Sequence, residues 1–278
     1  MKYQDPERKG VCGTGYLWVV YNPQRRISYM EWHTSRGAAC LESIVPRDYT
    51  GIIQCDGYSG YTSFIKSDWR RDLIVLIGCM AHARRKFFEA KAEGADAQWV
   101  LAQIQHLYVI EARAREARAG PIEIRQIRQQ QSQVILEQIK ARLDELESSH
   151  KHRPKSLTGM AISYALNQWE KLTMYVRDGR VQIDNNLIEN AIRPSAIGKK
   201  NWLFMGDAST GQRAATFYTL IGNSQKEGIN AEAYLTDIFK RLPSATTETV
   251  KHLTPKAWAA EKCAEKHATS TQPAPLTA

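Results

Sequence analysis

Residues 181–204, VQIDNNLIENAIRPSAIGKKNWLF, carry an acid, a predicted helix and a basic segment in close succession. The run DNN (184–186) leads into a short helical stretch that Pro194 is expected to end, with Glu189 outside its apolar face. The basic segment contains three cationic residues and one aromatic residue, Arg193, Lys199, Lys200 and Trp202. An acid held on a helix beside a basic, aromatic surface indicates chemistry on phosphates.

The same spacing has a purely structural explanation. Asn186 followed three residues later by Glu189 matches a capping box, in which the glutamate accepts a hydrogen bond from the backbone N–H of the cap residue. Any helix could use that arrangement, and spacing alone favours it over catalysis. The rest of the chain has to decide between the two.

The composition is that of a folded protein with a polyanionic partner. The 278 residues are 43% hydrophobic, enough for a core, and carry a net charge of +9 with a pI near 9.3. This charge favours nucleic acid as a partner, although Lys and Arg also solvate helix faces. The sequence contains no apolar run of membrane-spanning length and no signal peptide. The cysteines form no C-x-x-C pair, which fits a reducing cytoplasm: Cys12, Cys40, Cys55, Cys79 and Cys263.

The first third of the chain alternates between predicted strands and helices. Residues 16–21 and 27–32 are aromatic and β-branched and flank a turn, so they predict a hairpin. The apolar run 73–79 is typical of a strand buried on both faces. The other predicted elements are a helix capped by Ser35 and ended by Pro46, a strand over 51–55, and helices over 58–69 and 81–90. This order predicts an α/β sheet with parallel members.

Residues 94–178 form an all-helical block, with long helices predicted over 98–118, 122–146 and 157–176. Because the α/β pattern resumes afterwards, we interpret the block as an insertion. The predicted segments are 1–93 (first part of the α/β domain), 94–178 (insertion), 179–204 (acid-bearing helix and basic segment), 205–258 (helical C-terminal segment) and 259–278 (disordered tail). The C-terminal segment is predicted to contain a loop over 206–211, a helix over 212–226, and a helix over 231–241 capped by Asn230.

A second acid, Asp56, follows the strand over 51–55 and precedes Gly57. In α/β sheets, the carboxyl ends of strands present ligand-binding groups. An Asp-Gly turn without a function is the alternative, but it accounts less well for the aromatic run DGYSGY over 56–61. If Asp56 and Glu189 converge, their oxygens could hold Mg²⁺, which activates water in phosphodiester cleavage.

Basic residues open the helix over 81–90: His82, Arg84, Arg85 and Lys86 are predicted to face phosphates or solvent. Cys79 and His82 have the spacing of a zinc-ligand pair, but a second pair is missing, so a buried strand cysteine is favoured. Lys199 and Lys200 could contact a DNA backbone while Trp202 stacks on a base. A solvated loop with a core tryptophan is an equal rival for that segment.

Five stretches in order give the chain a specific resemblance. They are GTGYLWVVYNP (13–23), GIIQCDGYSGY (51–61), GCMAHARRKFFEA (78–90), IDNNLIENAIRPSAIGKKNWLF (183–204) and INAEAYLTDIFKRLP (229–243). With these motifs the chain resembles a bacterial transposase of the Insertion Sequence 66 family, and the likeness spans almost the whole chain.

The resemblance implies a ribonuclease H-like α/β fold with an all-helical insertion, a helical C-terminal segment, and an Asp-Asp-Glu (DDE) site for Mg²⁺ or Mn²⁺. Asp56 matches the second Asp of that site, and Glu189 matches its Glu. The first Asp and its central strand would precede Met1, and Asp5, in a polar loop, is a poor substitute. We therefore expect a catalytic domain that is truncated at its N-terminus and lacks the family's N-terminal DNA-binding region.

Two functions remain open at this stage. The resemblance implies metal-dependent cleavage and transfer of DNA strands at transposon ends and target, in the bacterial cytoplasm at the nucleoid, by a homo-oligomer or together with full-length transposase. The alternative is an inactive remnant that at most binds DNA or full-length transposase. The sequence favours the remnant for this polypeptide, because loss of one metal ligand impairs both water activation and charge stabilisation.

Overall fold

The structure is a computed structural model that describes residues 1–5, 10–66 and 72–270, without the side chains of Trp202 and of 266–270. The strands are β1 (Lys2–Gln4), β2 (Cys12–Thr14), β3 (Tyr16–Asn22), β4 (Ile27–His33), β5 (Gly51–Gln54) and β6 (Ile74–Ile77). Helices predominate, and among the described residues no helix is both long and apolar enough to cross a bilayer.

The helices are interleaved with the strands up to β6, and the described elements after β6 are all helices. The helices up to residue 173 are α1 (Cys40–Ile44), α2 (Ser59–Ile65), α3 (Met80–Ala90), α4 (Ala95–Glu116), α5 (Pro121–Ile127), α6 (Gln133–Ser148), α7 (Leu157–Asn167) and α8 (Trp169–Thr173). The later ones are α9 (Asn186–Trp202), α10 (Ala208–Lys226), α11 (Ala231–Arg241) and α12 (Pro255–Ser270). A π-helical segment, Arg128–Ser132, joins α5 to α6.

The strands pair two by two. The predicted hairpin is confirmed, because β3 and β4 pair antiparallel from Tyr16 opposite His33 to Asn22 opposite Ile27. The predicted parallel pairing is also present between β5 and β6. The prediction that these strands share one α/β sheet is wrong for the described residues. There, each of the pairs β1–β2, β3–β4 and β5–β6 forms a separate two-stranded sheet.

The chain divides into two compact units, and the division does not follow sequence order. One unit combines residues 1–36 with 187–278, and the other contains residues 37–186. The hairpin belongs to the first unit, whereas β5, β6 and the whole helical block belong to the second.

The helical block shares one hydrophobic core with the α/β elements of its unit. Ile77 of β6 and Phe87 of α3 are 1% exposed and belong to the same cluster as Leu107 of α4 and Leu143 of α6, which are both 0% exposed. Ile183, which leads into the DNN segment, packs into that cluster as well. The block therefore packs against β6, α3 and the residue that leads into the DNN segment.

In the other unit, α10 covers the outer edge of the hairpin. The backbone N–H groups of Ser28, Met30 and Trp32 donate to side chains of Asn223 (2.9 Å), Thr219 (2.9 Å) and Gln212 (3.2 Å). The Asn223 amide also donates to the Ser28 carbonyl oxygen at 2.7 Å. Alternate residues of an edge strand point their N–H groups outward, so a polar stripe on one helix satisfies the edge.

The helix that begins at Asn186 differs from its prediction. Pro194 lies inside α9 and does not end it. A proline removes one backbone donor, and here the partly or fully buried positions 188, 191, 192, 195 and 198 continue at helical spacing on both sides of it. The buried face therefore outweighs the one lost hydrogen bond.

Four other element predictions also need correction. Val75 is 41% exposed, so β6 is not buried on both faces. Ser35 does not cap a helix, because α1 begins only at Cys40. The helix predicted over 157–176 is interrupted at Gln168, where ψ is 3°. Residues 259–270 belong to α12 and not to a disordered tail, since Trp258 anchors that helix in a small core with Tyr234 and Leu253.

Three predictions fall partly outside the described residues. They are the last part of the helix over 58–69, the end of the tail at 271–278, and the stacking role of the Trp202 side chain. In contrast, the helix over 231–241 is confirmed, with the Asn230 side chain accepting from the Ala233 N–H at 2.9 Å.

Candidate active site

Asp56 lies just beyond the carboxyl end of β5, at the start of the loop that leads into α2. Its side chain is half-buried, and Oδ1 accepts the backbone N–H of Tyr58 at 3.0 Å. This bond is the Asx turn that fixes the loop. Oδ2 has no hydrogen bond to any described residue, so one oxygen stays available to a ligand.

Tyr164, from α7 of the helical block, packs directly against this loop. A Cβ built on Gly57 would come within 2.8 Å of both Cε2 and the hydroxyl oxygen of Tyr164. The Lys86 ammonium of α3 lies 5.0 Å from the centroid of the same ring, within cation–π range. Tyr164 thus joins a basic residue of α3 to the loop of Asp56.

Burial makes the groups around Asp56 hard to ionise. It raises the pKa of the Cys55 thiol to about 12, and the negative charge of Asp56 acts in the same direction. It also raises the pKa of Tyr164 to about 12, with further contributions from Cys79, Asp56 and Cys55. Both groups therefore stay protonated at neutral pH.

The DNN segment lies beside the carboxyl end of β6. The buried Asp184 carboxylate accepts the Tyr108 hydroxyl at 2.8 Å, and from Asn186 it accepts the backbone N–H at 3.0 Å and the side-chain amide at 2.9 Å. The Asn185 N–H donates to Cys79 Sγ at 3.4 Å. Gln54, the last residue of β5, also reaches this segment, since its amide donates to the Gln182 carbonyl oxygen at 2.8 Å.

Glu189 lies in the first turn of α9 and is exposed. The capping-box explanation is not supported, because Asp184, and not Glu189, accepts the Asn186 backbone N–H. Within the described part of the chain, the Glu189 carboxylate has no hydrogen bond or ion pair. It belongs to the unit of residues 1–36 and 187–278, whereas Asp56 belongs to the unit of residues 37–186.

The predicted DNA-binding residues fall into two sets. His82, Arg84, Arg85 and Lys86 lie together on α3, and Arg85 is exposed. The exposed cations on α9 are Arg193, Lys199 and Lys200. The geometry brings the first set, but not the second, into the same unit as Asp56.

The candidate ligands differ in how well they suit Mg²⁺ or Mn²⁺ on the one hand and zinc on the other. Asp56 and Glu189 each offer carboxylate oxygen without a protein partner in the described chain, which suits Mg²⁺ or Mn²⁺. The zinc pair finds no such support: Cys79 is 1% exposed and bonded to Asn185. Among described residues, no three His, Cys, Asp or Glu side chains cluster as a metal site would require.

Sequence reasoning missed the tyrosines of this region. Tyr164 and Tyr108 lie within the helices predicted over 157–176 and 98–118, and nothing in those patterns assigns them a role in a site. Tyr108 reaches Asp184 across 76 residues of sequence, so local spacing gives no sign of the contact. The aromatic run after Asp56 was the one local sign that this loop packs against something.

Comparison with known proteins identifies the family of this chain. The sequence profile of the Transposase IS66 family matches residues 1–213, which is more than half of the chain. The chain therefore belongs to the IS66 family of transposases.

Three relatives, all uncharacterized proteins from Sinorhizobium fredii, are similar over most of this chain. Protein y4jD is 31% identical over 77% of this chain and 42% of its own length. Protein y4qI is 35% identical over 84% of this chain and 44% of its own length. Protein y4hP is 29% identical over 89% of this chain and 48% of its own length. The chain thus spans less than half the length of these curated relatives. No solved structure matches it.

Proposed function

We propose that this chain is the catalytic region of a bacterial insertion-sequence transposase, which cleaves and transfers DNA strands with a divalent cation held by Asp56 and Glu189. The observation that carries the proposal is the position of Asp56. It follows a parallel strand, keeps one oxygen without a protein partner, and occurs in a chain of the IS66 transposase family.

The proposal includes a ribonuclease H-like arrangement. The element order supports it, with the hairpin β3–β4 followed by β5, α2, β6 and α3, and with the helical block inserted before the helix that carries Glu189. On this proposal Asp56 and Glu189 are two of the three acids of a DDE site.

The cofactor of this proposal is Mg²⁺ or Mn²⁺, with Asp56 and Glu189 as its oxygen ligands. When bound, such an ion lowers the pKa of water and stabilises a leaving oxygen. The protein's part is to hold the ligands: the Asx turn fixes the Asp56 carboxylate, and Tyr164 packs against its loop. Lys86, over the ring of Tyr164, adds a positive charge beside this loop.

The proposed partner is DNA, both transposon ends and target, contacted by the basic residues of α3 and α9. Their side chains are suited to phosphate oxygens and so position the DNA without reading its sequence. A homo-oligomer, or assembly with full-length transposase at the nucleoid, completes this proposal.

The second candidate is a non-catalytic chain that binds DNA or full-length transposase. The observation in its favour is that, among the described residues, no three His, Cys, Asp or Glu side chains lie together as a metal site would require.

A nicking assay on supercoiled DNA with Mn²⁺ separates the two candidates. If the first holds, the 278-residue chain nicks the plasmid, and both Asp56→Asn and Glu189→Gln abolish nicking. Asp72→Asn, the same change at an exposed aspartate just before β6, should leave it intact. Nicking that survives Asp56→Asn would exclude Asp56 from the site, and DNA binding without nicking would favour the second candidate.

A further inference from the structure

Two open clefts adjoin on the surface of the unit formed by residues 37–186. One has a volume of about 720 Å³ and the other about 550 Å³. Arg84 of α3 and Gln105 of α4 line both clefts, so together the clefts form one continuous groove between these two helices. We call it the α3–α4 groove.

The groove begins at the DNN segment. Asn186 and Tyr108 line the larger cleft, and both donate hydrogen bonds to Asp184. From there it passes Arg84 and reaches Lys91 at the end of α3. The seven residues from Arg84 to Lys91 span about 10 Å along a helix. A linear ligand in the groove would therefore have one end beside the DNN segment, which leads into the helix of Glu189.

The rim of the groove carries cations that the protein leaves without acidic partners. Arg84 is half-buried and Arg85 exposed, and neither guanidinium forms an ion pair or hydrogen bond within the described ranges. A partly desolvated charge is costly unless an opposite charge meets it. Glu89 also lines the larger cleft, but the arginines and Lys91 outnumber it. The groove is thus suited to a polyanion.

Apolar side chains line part of the groove. Leu101 and Ala102 of α4 line the smaller cleft, and Phe88, 46% exposed, lines the larger one, with the Lys91 ammonium 3.8 Å from its ring centroid. A duplex presents phosphates on its outside and keeps its bases inside, so it has nothing apolar to place against these side chains. An unpaired strand has both, because its bases can stack on apolar and aromatic side chains while its phosphates meet the cationic rim.

We propose that the α3–α4 groove binds a short unpaired segment of DNA, with α4 of the helical block as one of its walls. This inference rests on the proposed function for the presence of DNA. It gives the helical block a binding role in addition to its place in the core.

The test uses paired charge changes in the full chain, with binding measured by the fluorescence anisotropy of a labelled oligo-dT strand and of a labelled duplex. Gln105→Glu adds a negative charge inside the groove at an exposed residue without changing side-chain size. It should weaken binding of the unpaired strand about threefold or more, since one lost phosphate contact has an effect of this order. Glu89→Gln removes the one acid of the lining and should strengthen binding.

Gln103→Glu is the matched control. It makes the same charge change on the same helix, two residues from Gln105 and so on another face. It should leave binding of the unpaired strand unchanged, and unchanged thermal melting should show that all three variants fold.

Each remaining outcome overturns the inference. Equal effects of Gln105→Glu and Gln103→Glu would show that only net charge matters. Equal weakening of duplex and unpaired strand by Gln105→Glu would make duplex DNA the occupant. Failure of the unaltered chain to bind any DNA would overturn the proposed function as well, whereas DNA binding that ignores Gln105 would overturn this inference alone.

Discussion

Gly57 is required by space and not by backbone conformation. The Asp-Gly pair predicts a turn, in which glycine is commonly used for a positive φ. In the structure Gly57 does not have a positive φ, and it is the ring of Tyr164 that occupies the position of a side chain. The glycine therefore permits the close approach of α7 to the loop of Asp56.

Gly57→Ala is expected to destabilise the protein by about 1–3 kcal/mol, because the added methyl overlaps the Tyr164 ring. The double variant Gly57→Ala/Tyr164→Ala should lose less unfolding free energy than the sum of the losses in the two single variants, because without the Tyr164 ring the added methyl meets no overlap. Urea unfolding of the three variants measures both effects.

Gly222→Ala is the control for this change. Gly222 lies inside α10, and its nearest atom to a built Cβ is 3.9 Å away. Alanine should stabilise the helix there by about 0.5–1 kcal/mol. Strict additivity of Gly57→Ala and Tyr164→Ala would contradict the proposed contact.

The candidate acids were predictable from sequence, and their neighbours were not. Asp56 is marked by a strand end and a turn, and Glu189 by a motif on a helix, which are both local signals. Tyr164 and Asp184 acquire their surroundings from helices far away in sequence. Such contacts depend on tertiary packing, which local periodicity does not encode.

At the scale of elements, one buried arginine joins the helical block to the segment that leads to the DNN motif. Arg128, 2% exposed in the π-helical segment, binds both oxygens of Glu111 at 2.7 Å. Its remaining N–H groups donate to the carbonyl oxygens of Tyr175, Asp178 and Val181 at 2.9–3.0 Å. All five guanidinium donors are thereby used.

Arg128→Met should lower the free energy of unfolding by about 3–5 kcal/mol, because Glu111 would remain buried without its partner. Arg180→Met is the control, since Arg180 is 63% exposed in its ion pair with Asp178 and should matter little. Urea unfolding of both variants provides the comparison. Similar stability of the two variants would show that Arg128 does not fix the segment.

A second cluster in the helical block makes stability depend on pH. Lys151 chiefly, then His152 and Arg142, hold the pKa of the Asp96 carboxyl well below its usual range. Because the unfolded state binds this proton first, the stabilisation is complete above about pH 4 and disappears as pH falls toward the folded pKa.

The stability difference between the unaltered protein and Asp96→Asn should therefore be larger at pH 5 than at pH 3. Thermal or urea unfolding at the two pH values measures it. A difference that stays constant, or grows as the pH falls, would show that Asp96 is not held ionised by its three neighbours.

Two elements with local signals matched their predictions, whereas the Ser35 cap and the Pro194 stop, which are also local signals, did not. The hairpin follows from strand composition and a turn, and the helix at Ala231–Arg241 follows from the Asn230 cap. The sequence gives no sign that α9 continues past Pro194, because the buried face that sustains it is tertiary.

For the whole molecule, the order of elements was predictable and their division was not. The units combine residues 1–36 with 187–278, and leave 37–186 as the other. The free edge of β4 illustrates the reason. Its backbone N–H groups donate to side chains of α10, and the pair Ser28 and Asn223 is separated by 195 residues of sequence. The two candidate acids fall in different units, and the proposed function requires both of them to bind the same metal ion.

The most direct test is Mn²⁺ binding, followed by electron paramagnetic resonance, in the unaltered protein, Asp56→Asn, Glu189→Gln and the double variant. If the two acids share one ion, each single change should weaken binding at least about tenfold, and the double variant should be little weaker than either. Asp72→Asn should bind Mn²⁺ like the unaltered protein. Mn²⁺ affinity that is unaffected by Asp56→Asn or by Glu189→Gln would contradict a shared metal site.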